Sequence, residues 1–184
     1  MTDKMTVYIK YSEAIDLNSV EKMTQLVLEQ LRQGVERFVV LMSSPGGNVN
    51  AGISAYNFLV GIPAEVITHN YGSVASIAAV LFCAGSKRFC VPNATFTIHG
   101  VTLEIKSKLT FNEKNMGERL ASIKADREIM SKVISDTTGN SYTQVDHDIL
   151  EGIVLNSEQA LEYGLVHEIK ADLFERGAKV IDIT

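Results

Sequence analysis

The chain is poor in the features that mark specialised classes of protein. It has only two cysteines, Cys83 and Cys90, each inside an apolar segment and neither with a second cysteine at metal-binding spacing. That argues against a disulfide-stapled secreted scaffold and a cysteine-built metal site, and predicts two reduced, buried thiols. No block of lysine and arginine interrupts a net charge of −5, so there is no electrostatic footprint for nucleic acid or an anionic membrane. No apolar run reaches the roughly 18–20 residues that span a bilayer. The N-terminus, MTDKMTVYIKYSEA, lacks the basic head and apolar core of a signal peptide. Internal repeats, low-complexity tracts and linkers are missing too. What remains is 46% apolar and 21% charged, enough for one ordinary core. The expectation is a single cytoplasmic domain over 1–184, without nucleic-acid or membrane partners.

What is present alternates between two periods. TVYIKY (6–11) reads as a half-buried strand. DLNSVEKMTQLVLEQLRQG reads as a helix, with Asn18 and Glu21 as its capping box, Val20, Met23, Val27 and Leu31 on one face, and Gly34 as its stop. RFVVLM (37–42) is the continuous apolar run of a parallel strand covered on both faces. The turn cluster SSPGGNVNAG follows, then helical spacing in ISAYNFLV. AEVITH (64–69), a turn, and a helix-like run from Ser73 to Ala84 repeat the pattern. KRFCV and ATFTIHG are short strands. A long helix over about 110–136 opens on a Thr110–Glu113 capping box and closes at TTGN. Its apolar stripe is thin (Met116, Leu120, Ile123, Ile129, Val133), so it must pack along a narrow seam or against a partner subunit. Ser141 with Gln144 and Asn156 with Gln159 cap two short helices, and Gly164 ends the second before LVHEI. KADLFERGAKVIDIT (170–184) reads as a short helix and strand, either a subunit contact or a surface extension. Such alternation gives an α/β domain.

Two stretches can carry chemistry. In VVLMSSPGG a buried strand runs into Gly46 and Gly47, where ligands lie in open α/β sheets. Paired glycines let backbone N–H groups meet developing negative charge, and they equally serve a plain strand-to-helix turn. In AEVITHNYGSVASIAA, Ser73 reads as a helix N-cap and leaves Ser76 without a capping duty. Ser76 then faces a crevice near the free N–H groups and positive end of a helix, with Ile77 N–H and Gly47 N–H as donors to an oxyanion. A serine needs a base. His99 ends the strand ATFTIHG and can meet Ser76. His69 reads as a partly buried strand-end residue, and His147 and His167 as surface residues. Asp146-His147-Asp148 invites a metal, but adjacent helical residues diverge, so neither metal nor cofactor is expected.

SSPGG, GSVASIAAVLFCAGSKRFCVPNATFTIHG and SEQALEYGLVHEI, in this order and spacing, closely resemble the proteolytic subunit of the Clp protease, from about residue 6 to residue 169. The resemblance implies an α/β fold of the ClpP/crotonase-like kind, a repeated β-β-α spiral with a protruding handle helix. It implies a serine endopeptidase of the ATP-dependent type, acting on peptides or unfolded polypeptides through an acyl-enzyme. Ser76 takes the place of the nucleophile, His99 of the general base, and the N–H groups of Gly47 and Ile77 of the oxyanion hole. GVTLEIK would lie beside an extended substrate by main-chain pairing. The polar helix would be the handle through which two rings meet, in a homo-oligomer that is a heptameric ring or double ring.

The sequence departs from the family in places. Ungapped counting puts Gly152 where the family has the triad aspartate. Asp148 is the nearest replacement, with Glu151 and Asp146 as alternatives; loss of an orienting carboxylate costs on the order of 10⁴ in rate. Only about five residues precede TVYIKY, where the family has the segment that helps dock an AAA+ ATPase. Partnership with such an ATPase is therefore in doubt from the sequence. Two other readings stay open: a catalytically impaired ring subunit, and a crotonase-type enzyme acting on acyl-CoA. No lysine stands at a motif position for a Ser-Lys dyad.

Overall fold

The computed structural model describes residues 4–102 and 112–183. Three parallel strands make its centre: β1 (Thr6–Tyr11), β2 (Arg37–Ser44) and β3 (Glu65–Ala75). Helices α1 (Leu17–Arg32) and α2 (Val49–Gly61) connect them. Phe38 through Met42 of β2 are all buried, as the continuous apolar run predicts for a strand covered on both sides. Beyond β3 come α3 (Ile77–Phe82), β4 (Lys87–Cys90) and β5 (Thr95–Ile98). The remainder is α4 (Glu113–Thr138), α5 (Tyr142–Glu151), β6 (Ile153–Asn156), α6 (Ser157–Glu162), β7 (Glu168–Ile169) and β8 (Lys179–Asp182). The eight strands among the described residues join one sheet in the order β6-β5-β3-β2-β1-β8, with β4 pairing β3 and β7. Among the described residues, only the β5–β6 pair is antiparallel. The larger core lies under α1, α2 and α3; a smaller cluster of Tyr8, Val39, Leu41 and Ile67 occupies the opposite face. Cys83 and Cys90 are free and buried, and burial pushes both thiols up to about 11.

Several boundaries differ from the expectations, each for a physical reason. The capping box of α1 is Asp16 with Ser19, rather than Asn18 with Glu21. Ser19 also bonds Tyr11 Oη at 2.8 Å and donates to the Ala14 carbonyl at 2.9 Å, so tertiary contacts select the earlier start. β3 does not turn after His69 but runs on to Ala75, because its second half gains a new neighbour. Residues 67–70 pair with β4, and Ser73, Val74 and Ala75 pair with Thr95, Phe96 and Thr97 of β5. Asn70 makes the change of partner, donating to the Thr95 carbonyl and accepting from Gly72 N–H, both at 2.9 Å. Ser73 is therefore a strand residue and caps no helix.

Helix α4 starts from Asn112, whose side chain accepts from Asn115 N–H; Thr110 lies outside the described residues. Its first ten residues are all exposed, and it buries only Met130, Ser131, Ile134 and Ser135. Met116, Leu120 and Ile129, assigned to the packing stripe, face solvent instead. The helix expected after residue 170 is absent. That segment turns at Glu175–Ala178 and adds β8 beside β1, laying Leu173 and Ala178 on the smaller cluster. Among the described residues, no helix is long and apolar enough to cross a membrane.

Glu65, at the start of β3, gathers the charges at one end of the sheet. One of its oxygens accepts from Lys4 Nζ at 2.8 Å and from Arg37 Nε at 3.0 Å. These two bonds, Lys4's first, hold the carboxyl down from 4.5 to about 2. A depressed carboxylate stabilises the fold above its unfolded pKa and loses that contribution as pH falls through the folded value. Lys4 is 47% exposed, so solvent screening limits the contribution to about 1 kcal/mol. Urea unfolding should find Glu65→Gln less stable by about that amount at pH 7. The gap should close between pH 4.5 and about 2. A gap independent of pH would show that packing, and not charge, is what the substitution removes.

Candidate active site

Ser76 sits where β3 ends and α3 begins, with φ 58° and ψ −132°. It is the only non-glycine residue with positive φ among those described. Such a backbone costs about 1–3 kcal/mol and persists only where its surroundings impose it. The constraints here are visible. Ser76 N–H donates to the Thr97 carbonyl at 2.8 Å, tying the turn to β5. Gly46 presses against it from the other side: a Cβ there would lie 2.7 Å from Ser76 Cβ and 2.6 Å from the Ala75 carbonyl oxygen. All six residues of α3 are buried, which anchors the far side of the turn. Ser76 occupies the N-cap position of α3, yet its hydroxyl makes no capping bond. The Oγ is left free for other chemistry.

The SSPGG loop runs beside this turn. A parallel bridge joins Ile15 to Gly47, through Ile15 N–H to the Gly46 carbonyl (2.8 Å) and Asn48 N–H to the Ile15 carbonyl (2.7 Å). In that pattern the bridged residue's own N–H points away from the partner strand, so Gly47 N–H is not used by the bridge. Ile77 N–H is in the first turn of α3, where no intrahelical acceptor exists. Gly46, the neighbour of Gly47, is the residue in contact with Ser76, and Ile77 follows Ser76 in the chain. A groove of about 320 Å³ opens from Gly47 between Val49, Val101 and Thr102 and the α4 residues Ile123 and Asp126. Burial raises the Asp126 carboxyl above its ordinary pKa. Most of GVTLEIK, the expected substrate-pairing strand, lies outside the described residues.

His99 follows the last residue of β5. The last register pair of β3 and β5 is Ala75 with Thr97, so Ser76 and His99 each follow the carboxyl end of one of two neighbouring parallel strands. His99 is half-buried, and its Nδ1 lies 2.8 Å from the Gly100 carbonyl. A carbonyl only accepts, so Nδ1 carries the proton and Nε2 of the neutral ring keeps its lone pair.

The acids are placed differently from the sequence expectation. β5 and β6 run antiparallel with Ile98 opposite Ile153, which sets Gly152 opposite His99. A Cβ on Gly152 would lie 3.7 Å from His99 Cβ. Position 152 is thus the one beside the histidine, as the ungapped count requires, and it has no side chain. Asp148 is buried, but its carboxylate is turned to other partners: Gln144 Nε2 and Tyr163 Oη each donate to one oxygen at 2.8 Å. Burial and then that bond raise the Tyr163 phenol. Asp146 pairs with Arg127 Nε at 3.0 Å and accepts from Ser131 Oγ at 2.9 Å. Glu151 is exposed. Among the described residues no carboxylate hydrogen-bonds to His99.

The remaining histidines lie elsewhere. His69 is buried in β3, with Nε2 2.9 Å from the Lys170 carbonyl and its ring edge-on to Phe89; burial lowers its pKa. His147 is exposed. His167 is exposed but engaged: both ring nitrogens face Arg88, Nδ1 at 3.1 Å from Arg88 N and Nε2 at 3.0 Å from Nη2. Sequence reasoning missed Arg88, which is 6% exposed and donates to the carbonyls of Gly85, Thr137, Gly164 and Leu165. It ties the segments that follow α3 and α6 to the end of α4. No local pattern announces such a hub, because its acceptors are main-chain atoms from distant segments. The strain at Ser76 is equally silent in sequence, since serine does not advertise positive φ as glycine does.

Comparison with known proteins bears on this arrangement. The family described as Clp protease matches residues 3–172. The ATP-dependent Clp protease proteolytic subunit of Dehalococcoides mccartyi is 32% identical over 156 residues, 81% of this chain and 76% of that protein. The protein of the same name from Carsonella ruddii is 30% identical over 155 residues, 81% and 78% of the two chains. Among solved structures, a mutant of ClpP1 from Listeria monocytogenes superposes with TM-score 0.79 at 26% identity, covering 91% of this chain and 92% of the other.

Proposed function

The chain belongs to the Clp protease family, and from that premise we propose that it is a serine endopeptidase in which Ser76 is the nucleophile and His99 the general base. The observation that carries this reading is the forced positive φ of Ser76, with its hydroxyl unspent at the joint of strand and helix. Strain of this kind clusters where a side chain must be aimed. Ser76 Oγ attacks the scissile carbonyl carbon while His99 Nε2 takes the hydroxyl proton. The carbonyl oxygen, now negative, is met by the N–H groups of Gly47 and Ile77. The C–N bond then breaks, the amine leaves with the proton from His99, and an ester on Ser76 remains. Water, deprotonated by the same Nε2, hydrolyses that ester. The substrate class is an extended peptide or unfolded chain, seated in the groove that leads from Gly47 to α4.

The same reading makes the chain one subunit of a closed ring, heptameric by resemblance, with two rings meeting through α4. The exposed Met116, Leu120 and Ile129 support a covered helix in such an assembly. The family match leaves the acyl-CoA reading without support. A slow or silent subunit is the second reading, favoured by the missing side chain at Gly152. A fluorophosphonate probe separates the two. We expect it to label the folded protein at Ser76, located by mass spectrometry of the labelled peptide. A folded, assembled protein that takes no label, or is labelled elsewhere, sinks the active-peptidase reading.

A further inference from the structure

We propose that His99 is held in its working tautomer by the main-chain carbonyl of Gly100 in place of a carboxylate, making the site a serine–histidine dyad whose third member is a peptide group. The inference rests on the peptidase reading above. Three observations converge on it. First, the Nδ1–Gly100 O distance is 2.8 Å, a full hydrogen bond within one short segment. Second, the position opposite His99 is built for glycine. Gly152 has φ 78°, where an L side chain is strained, and its N–H closes α5 by donating to the Asp148 carbonyl at 2.9 Å. An acid is thus absent from a turn whose backbone has no place for one. Third, Asp148 and Asp146 spend their carboxylates on Tyr163, Gln144, Arg127 and Ser131. The Gly100 backbone is itself seated against α5, since a Cβ on it would lie 3.5 Å from the Ile149 carbonyl oxygen.

A carbonyl performs one of the two tasks of a triad carboxylate. It accepts from Nδ1–H, which fixes the tautomer and aims Nε2. It lacks the full negative charge that steadies the imidazolium. When Ser76 gives its proton to Nε2, the Nδ1 proton stays on Nδ1, still donated to Gly100 O, and no proton passes to the carbonyl. A triad carboxylate replaced by an amide in the wrong tautomer costs about 10⁴ in kcat. Here the tautomer is kept, so the dyad avoids the part of that loss that comes from a misplaced proton.

The test reads the tautomer directly, in the assembled protein with ¹⁵N-labelled histidine. Long-range ¹⁵N–¹H correlations of neutral His99 should place the proton on Nδ1, in the wild type and in Asp146→Asn, Asp148→Asn and Glu151→Gln. Asparagine at 148 can still accept from Gln144 through Oδ1 and can donate through Nδ2 to Tyr163 Oη in place of accepting from it, and Asp148→Ser is the second substitution should it not assemble. In parallel, the rate of Ser76 labelling by the fluorophosphonate should change less than about threefold in each variant; loss of a true orienting carboxylate would cost about 100-fold or more. A proton on Nε2 in the wild type, or a tautomer that switches in any one variant, overturns the proposal. So does a 100-fold fall confined to one acid with the fold intact. Failure of the wild type to label counts against the peptidase reading alone, because the tautomer is read without turnover.

Discussion

Ser76→Ala, His99→Ala and the double variant are expected to lose the same activity, about 10³- to 10⁵-fold in kcat/KM on an unfolded peptide substrate. The equality follows from the two side chains acting as one unit: without the proton acceptor the hydroxyl is no nucleophile, and without the hydroxyl the base has nothing to activate. The magnitude comes from bracketing. A complete triad loses roughly 10⁶ when its serine or histidine is removed, whereas a serine and histidine left without their carboxylate contribute only on the order of 10². A histidine whose tautomer is held by a carbonyl belongs between these limits. The measurement is steady-state hydrolysis of a quenched fluorescent peptide by the four proteins at matched assembly state. Losses that multiply in the double variant would mean that the residues act independently, and the shared mechanism would be wrong.

Gly47→Ala should lower kcat by about 10²- to 10³-fold, the usual cost of removing one oxyanion donor. The reason is steric. A Cβ on Gly47 would lie 2.2 Å from the Ile15 carbonyl oxygen and 3.0 Å from the Ile15 carbonyl carbon, and the backbone there has φ 149°. Neither obstacle is a side-chain end that can swing aside. The loop must shift, which breaks the hydrogen bonds that Ile15 exchanges with Gly46 and Asn48 and displaces the proposed Gly47 donor. Two lost backbone bonds at about 1 kcal/mol each add a stability loss of roughly 2 kcal/mol. Gly34→Ala is the control. Gly34 also has positive φ but has open space around its Cβ position, so only backbone strain of about 1–2 kcal/mol is expected, with no change in rate. Thermal unfolding and peptide kinetics on both variants separate the two effects. Unchanged kcat in Gly47→Ala would remove Gly47 from the oxyanion hole.

Parts of the site could be read along the chain, for specific reasons. Ser141 and Asn156 cap helices as their spacing with Gln144 and Gln159 predicts, because capping is local and its partners lie three residues apart. The buried run of β2 was legible because both faces of that strand are covered. Ser76 and His99 could be nominated because each stands at a strand's carboxyl end. The role of Ser73 could not be read. Its capping signal is sound, but the pairing of β3 with β5, 22 residues apart in register, outweighs it. Asp148 was nominated by proximity in sequence, yet one helical residue faces one direction, and α5 points Asp148 at Tyr163.

Sequence alone determined the α/β alternation, the strand-to-helix turns that carry Gly47 and Ser76, and the absence of an acid at position 152. Each rests on residue type and spacing within a few turns of chain. Tertiary structure alone decided which way those residues face. It bends Ser76 to positive φ between Thr97 and Gly46, sets Gly152 against His99, and spends Asp146 and Asp148 on other partners. The physical reason is that hydrogen bonds and excluded volume are settled between segments distant in sequence, and a lone residue type does not encode which neighbour claims its one free group.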